Sequence, residues 1–143
     1  MKFKITLKMN RAHGDLLPFN YQYEQSAVIY RVLAQANRQY ASWLHENGYQ
    51  LNGSKRFKLF CYSPFIFEKV RPLPKEGCLN IMGERATWYI SFIPEKSTME
   101  FIQGIFAHQS FTIGNKKHQV TFDVVGIEAM PMPPLFEEIT FQA

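Results

Sequence analysis

Three features of the chain predict an α+β fold built on an antiparallel sheet. Residues 1–10, MKFKITLKMN, alternate polar and apolar side chains with period two. Residues 29–44 repeat apolar side chains at three- and four-residue spacing. Two later pairs of β-rich runs flank turn signals at Gly83 and Gly114.

The elements follow in order. Phe3, Ile5, Leu7 and Met9 alternate with Lys2, Lys4, Thr6 and Lys8, which is a half-buried strand with a lysine-rich outer face. Arg11 to Asn20, with Gly14 and Pro18, reads as a loop. Ile29, Val32, Leu33, Ala36, Tyr40, Trp43 and Leu44 form a helical stripe, interrupted at Asn37-Arg38 and stopped by Gly48. Arg56 to Ser63 reads as a strand limited by Pro64. Ile66 to Val70 extends the strand region until Pro72 and Pro74 break it. Leu79–Met82 and Thr87–Ile93 flank Gly83-Glu84-Arg85-Ala86 as a hairpin. Ser97-Thr98-Met99-Glu100 matches a capping box before Phe101, Ile102, Ile105 and Phe106, a second helix. Phe111–Ile113 and Val120–Val125 flank Gly114-Asn115-Lys116-Lys117, a second hairpin, and from Met130-Pro131 the chain leaves the core. The order is β-α-β-β-α-β with additional β-hairpins, the ferredoxin-like pattern. That superfold hosts RNA recognition modules and enzymes alike, so fold alone does not settle function.

Composition narrows the class. At 143 residues the chain is long enough for one domain with a real core, and 46% hydrophobic with 20% charged residues is ordinary for a soluble protein. The 13 Phe residues suit both a one-sided sheet and base stacking. No apolar run approaches the ~18 residues of a membrane span, which argues against a membrane partner. The lysines of the first ten residues rule out the apolar core of a signal peptide, so the cytoplasm is the expected compartment. Cys61 and Cys78 form neither a close metal pair nor a disulfide framework. The net charge of +4 is asymmetric: residues 1–74 carry 11 Lys/Arg against 4 Asp/Glu, and residues 75–143 carry 5 against 8. An anionic partner would favour the first half, although solubilising charge explains the same numbers.

Tyr30, His45 and Lys58 lie in that basic, aromatic half. They are the residue types needed to cleave RNA without a metal. A base deprotonates the ribose 2′-OH, an acid protonates the departing 5′ oxygen, and a cation stabilises the phosphorane charge. No cofactor is called for, since the chain has no HxH, CxxC or DxD. Each residue also fits an ordinary task. His45 suits a helix C-terminus, Tyr30 suits a core edge, and Lys58 suits a solvated strand face. His13, His108 and His118 fall in loops or at element ends. In one straight helix Tyr30 and His45 would stand about 22 Å apart, so a joint site requires the helix to break near Asn37-Arg38.

The chain resembles the N-terminal half of the CRISPR-associated endoribonucleases of the RAMP superfamily that process precursor crRNA. The matching pieces are Met1-Lys2-Phe3-Lys4-Ile5, Leu17-Pro18-Phe19-Asn20-Tyr21-Gln22-Tyr23 and Val28-Ile29-Tyr30. Trp43-Leu44-His45-Glu46 and Phe57-Lys58-Leu59-Phe60-Cys61-Tyr62-Ser63 continue the match. The resemblance runs the length of the chain in order and is strongest over residues 16–63. It implies that Tyr30 assists or acts as base, that His45 is general acid or base, and that Lys58 stabilises the transition-state charge. Asn47–Lys55 forms a longer link than in some relatives, which makes Lys55 the alternative to Lys58.

The resemblance further implies a metal-independent transesterification of CRISPR repeat RNA, leaving a 2′,3′-cyclic phosphate and a 5′-OH. Lys2, Lys4, Lys8, Arg11, Lys55 and Arg56 would hold the RNA, with aromatic stacking. Family members carry two ferredoxin-like domains, the second with a glycine-rich loop that contacts RNA. Residues 1–143 contain one β-α-β-β-α-β set and no such loop. The expectation is therefore a single domain corresponding to the first half, with weak RNA affinity and little cleavage alone. Two other readings accommodate the residues. One is a non-cutting domain that holds crRNA or scaffolds an interference complex. The other is an interaction domain that forms a homodimer along a sheet edge.

Overall fold

The computed structural model describes residues 2–32, 35, 60–92, 103, 104 and 106–130. Strand β1 (Lys2–Asn10) runs into a 3-10 turn (Arg11–His13), β2 (Leu16–Pro18) and a helix, α1, described over residues 22–32. β3 (Phe60–Tyr62), β4 (Ile66–Phe67), β5 (Val70–Leu73), β6 (Cys78–Ile81) and β7 (Arg85–Phe92) follow. Residues 103, 104 and 106 are helical, and β8 (Ser110–Gly114) and β9 (Gln119–Met130) complete the described chain. The fold is α+β, with antiparallel sheets and one major helix.

The main sheet has the order β3-β7-β1-β9-β8, with β4 also on β7; a small sheet has the order β2-β6-β5. All pairings are antiparallel. β1 sits at the centre because its alternation supplies a fully apolar face: Phe3, Ile5, Leu7 and Met9 are all buried. Ala86, Trp88 and Ile90 of β7 and Val120, Phe122 and Val124 of β9 share that core. So do Phe111 and Ile113 of β8. Helix α1 closes the core with Val28, Ile29 and Val32, spaced to fall on one side of a 3.6-residue turn. Phe65 is the hub, its ring centroid 5.1 Å from Tyr21, 5.2 Å from Trp88 and 5.1 Å from Phe122. The β1–β9 register slips between Thr6 and Leu7, which pair with Gly126 and Val124, so Val125 is a bulge residue and is left exposed.

Several expectations hold. β1 spans its predicted residues, and Ser110–Gly114 and Gln119–Met130 form the second hairpin, with β9 running five residues beyond Val125. In that hairpin's turn the Asn115 side chain accepts from the Lys117 and His118 amides. Three expectations need correction. Leu16–Pro18 is a strand and not loop, because its backbone pairs with Cys78–Asn80. Pro72 does not end a strand; it sits within β5, an edge strand where a missing N–H is tolerated. Leu79–Met82 and Thr87–Ile93 do not form a hairpin: β6 pairs with β2 and β5, whereas β7 pairs with β1, β3 and β4.

The physical reason for that last correction is Arg11. Its guanidinium donates to the carbonyls of Ile81 (3.3 Å), Met82 (3.0 Å) and Gly83 (2.9 Å) and to Glu84 Oε1 (3.2 Å). The amides of Met82 and Gly83 go to the Lys69 carbonyl, and the Glu84 carbonyl accepts from Met9. The turn's polar groups are thus taken by residues distant in sequence, and the chain passes from one sheet to the other instead of folding back. The Asn37-Arg38 break, the capping box and the tail from residue 131 lie outside the described residues.

Candidate nucleic-acid interface

Two surfaces carry the chemistry predicted from sequence. The first is the exposed side of α1. Tyr30 is 52% exposed, and its ring meets Phe60 of β3 edge-on at 5.2 Å and 72°. Two hydrogen bonds fix the helix against β3 and the residue that follows it. Tyr62 Oη donates to the Gln22 carbonyl at 2.7 Å, and Gln25 Nε2 donates to the Ser63 carbonyl at 3.1 Å. Gln25 is fully buried, so that tie is shielded from water. The helix below Tyr30 is thereby anchored at its start and packed along its apolar side. His45 and Lys58, the other two predicted catalytic residues, lie outside the described residues, as do Lys55 and Arg56.

The second surface is the side of the main sheet opposite the core. Paired residues on neighbouring strands share a face. Lys2, Lys4, Thr6 and Lys8 therefore lie beside Ser91, Tyr89, Thr87 and Arg85 on one flank. On the other flank Lys2, Lys4 and Lys8 lie beside Met130, Glu128 and Asp123. Lys2 Nζ stands 4.7 Å from the centroid of the Tyr89 ring, a cation–π arrangement. Lys4 Nζ is 3.9 Å from Glu128 Oε1, an exposed pair worth little in water. Asp123 accepts a short bond from Ser110 Oγ at 2.6 Å. Lys8 and Arg85 are exposed. Cations and an aromatic ring thus share a pleated surface, which can engage phosphates and bases together.

Arg11 stands in the 3-10 turn that follows β1. Its guanidinium holds the 81–84 turn, and Glu84 offsets its charge. Sequence reading missed Arg85 and Tyr89. Their period-two alternation with Trp88 and Ile90 was a usable signal, but only the β1–β7 register puts them beside the lysines.

Among the described residues no group of three His, Cys, Asp or Glu side chains could hold a metal, and no helix is long and apolar enough to cross a membrane. Burial pushes the Cys78 thiol up, with the Glu76 charge adding to it. Burial also pushes the Tyr21 hydroxyl up, partly offset by the bond it accepts from the Phe65 amide.

The model of a known family, CRISPR-associated protein Cas6, N-terminal, matches residues 16–123. The chain belongs to the Cas6 family. A relative from Methanocaldococcus jannaschii, CRISPR-associated endoribonuclease Cas6 1, is 31% identical over 133 residues. That alignment covers 93% of this chain and 47% of the relative. Among solved structures, a chain described as "An RAMP protein binding different RNA substrates" superposes with a TM-score of 0.64 at 23% identity. It covers 93% of this chain and 49% of that one, and at this identity it speaks for the fold. The chain thus spans about half the length of the Cas6 relative and of that solved structure. The Cas6 match includes Tyr30, His45 and Lys58.

Proposed function

We propose that this chain is the N-terminal, ferredoxin-like domain of a metal-independent endoribonuclease that cleaves CRISPR repeat RNA. The observation that carries the reading is the Cas6 N-terminal match across residues 16–123, which includes all three candidate catalytic residues. The name of the M. jannaschii relative supports the activity. The sheet order β3-β7-β1-β9, with α1 between β1 and β3, supports the ferredoxin-like reading.

In this reading the ribose 2′-OH attacks the adjacent phosphorus. Its proton goes to Tyr30 or His45, the 5′ oxygen leaves with a proton from His45, and Lys58 or Lys55 stabilises the phosphorane. The products are a 2′,3′-cyclic phosphate and a 5′-OH. An internal nucleophile needs no metal-activated water. Lys2, Lys4 and Lys8, with Lys55 and Arg56, hold the RNA backbone. Arg11 contributes to this surface by holding the 81–84 turn.

The test is cleavage of labelled repeat RNA in EDTA. The 143-residue chain would be assayed alone and fused to the unmatched half of the M. jannaschii relative, as wild type and as His45→Ala. A cyclic-phosphate product that the substitution abolishes supports the reading. RNA left intact by the fusion, with salt-sensitive binding, replaces it with a domain that holds crRNA without cutting.

A further inference from the structure

Helix α1 carries a second exposed aromatic. Tyr23 is 80% exposed, the most exposed large apolar side chain among the described residues. Single exposed aromatics are common and need no explanation. Tyr23 is not single, because it stands seven residues before Tyr30. Seven residues turn a helix through about 700°, so the two rings leave it within roughly 20° of one line. Their Cα positions are about 10.5 Å apart along the axis.

The ground between them is clear. Ser26 and Ala27, three and four residues after Tyr23, are the side chains that fall between the rings, and both are small. The Ser26 hydroxyl is turned back onto the Tyr23 carbonyl at 2.7 Å. The exposed residues among the described helical positions 22–35 are Gln22, Tyr23, Ala27, Tyr30, Arg31 and Gln35, a set with one cation and no carboxylate. A span of about 10.5 Å holds three van der Waals layers of about 3.5 Å, the room two stacked bases need between two rings. The surface is backed by packing as well, since Val28, Ile29 and Val32 are buried beneath it.

We infer that Tyr23 is a base-stacking residue that, with Tyr30, forms an aromatic platform on α1 for two successive bases of single-stranded RNA. This rests on the reading of Tyr30 as part of the cleavage site and deepens it. The platform would seat the nucleotides flanking the scissile phosphate and aim the strand along the helix. Stacking uses the π-face, so it requires an aromatic ring but no hydroxyl.

The experiment is fluorescence titration of single-stranded RNA carrying 2-aminopurine into the 143-residue chain at low salt. Wild type would be compared with Tyr23→Ala, Tyr23→Phe and Tyr30→Phe. The expected result is quenching of the probe by wild type, affinity lowered about tenfold in Tyr23→Ala, and both kept in Tyr23→Phe. An unchanged circular dichroism spectrum for Tyr23→Ala would show that the helix is intact, as its exposure leads one to expect. Equal affinity and quenching in wild type and Tyr23→Ala overturn the inference. So does a Tyr23→Ala defect appearing only in self-association, which would make the stripe a protein contact. Tyr30→Phe separates the two readings: it keeps the platform but abolishes cleavage in the fusion if the hydroxyl is chemical. If Tyr30→Phe cleaves normally while Tyr23→Ala binds poorly, the platform stands and the role of Tyr30 in the chemistry falls.

Discussion

Arg11 offers a sharp separation of structural from RNA-binding charge. Its guanidinium reaches three carbonyls and one carboxylate some seventy positions away, at 2.9 to 3.3 Å. The side chain is 39% exposed, so each bond belongs at the weak end of its range. Three such bonds at about 0.5 kcal/mol each, with an exposed ion pair of roughly the same size, make Arg11→Ala cost about 2 kcal/mol. For a chain of this length that lowers Tm by about 7 °C. Arg11→Lys recovers less than half of the loss, because one ammonium cannot fork to carbonyls on three successive residues. The assay is thermal unfolding followed by the fluorescence of the tryptophans, of which Trp88 lies in the core. RNA affinity, measured on the same variants well below their Tm, should change less than in Lys8→Ala. A Tm within about 1 °C of wild type, together with an RNA defect as large as that of Lys8→Ala, would refute the reasoning and return Arg11 to the phosphate-binding set.

Lys8→Ala should weaken RNA binding and reduce the slope of log affinity against log salt by about 1, as measured by anisotropy across a salt series. Native alkylation should modify exposed Cys61 rapidly and spare Cys78, whose buried thiol is held protonated; mass spectrometry before and after denaturation counts the two. Tyr21→Phe should cost roughly 2 kcal/mol in urea unfolding, since the Phe65 amide loses its acceptor inside the core. The Tyr21 hydroxyl ionises above its ordinary value of 10.0 in the folded protein. Its share of stability is therefore full below pH 10 and lost as pH rises through the folded value, so wild type and Tyr21→Phe should converge in alkali.

Much of the architecture was legible because it follows from local periodicity. The alternation of β1 puts four apolar residues inward and Lys2, Lys4, Thr6 and Lys8 outward, whatever strands lie beside it. The second hairpin was equally local, with a Gly-Asn turn between two β-rich runs. The Gly83 signal looked the same on paper and led to the wrong pairing. Whether a turn closes a hairpin depends on which groups compete for its carbonyls and amides, and here Arg11 and Lys69 win. Tyr30 was singled out by residue type and resemblance, and its exposure on α1 fits a chemical role. Tyr23 carried no comparable signal: an aromatic beside a helix start reads as core until its exposure is seen.

Taken alone, the chain determined which residues of β1 and the second hairpin turn inward, and which family it resembles. These depend on side-chain type and on spacings of a few residues, where the geometry of helix and strand is set in advance. The tertiary structure decided which strands are neighbours, that Arg11 braces a turn, and that Tyr89 and Arg85 join the lysines on one face. Those are contacts between segments far apart in sequence. They are settled by competition among the whole chain's polar groups and apolar faces for partners, and no local pattern records its outcome.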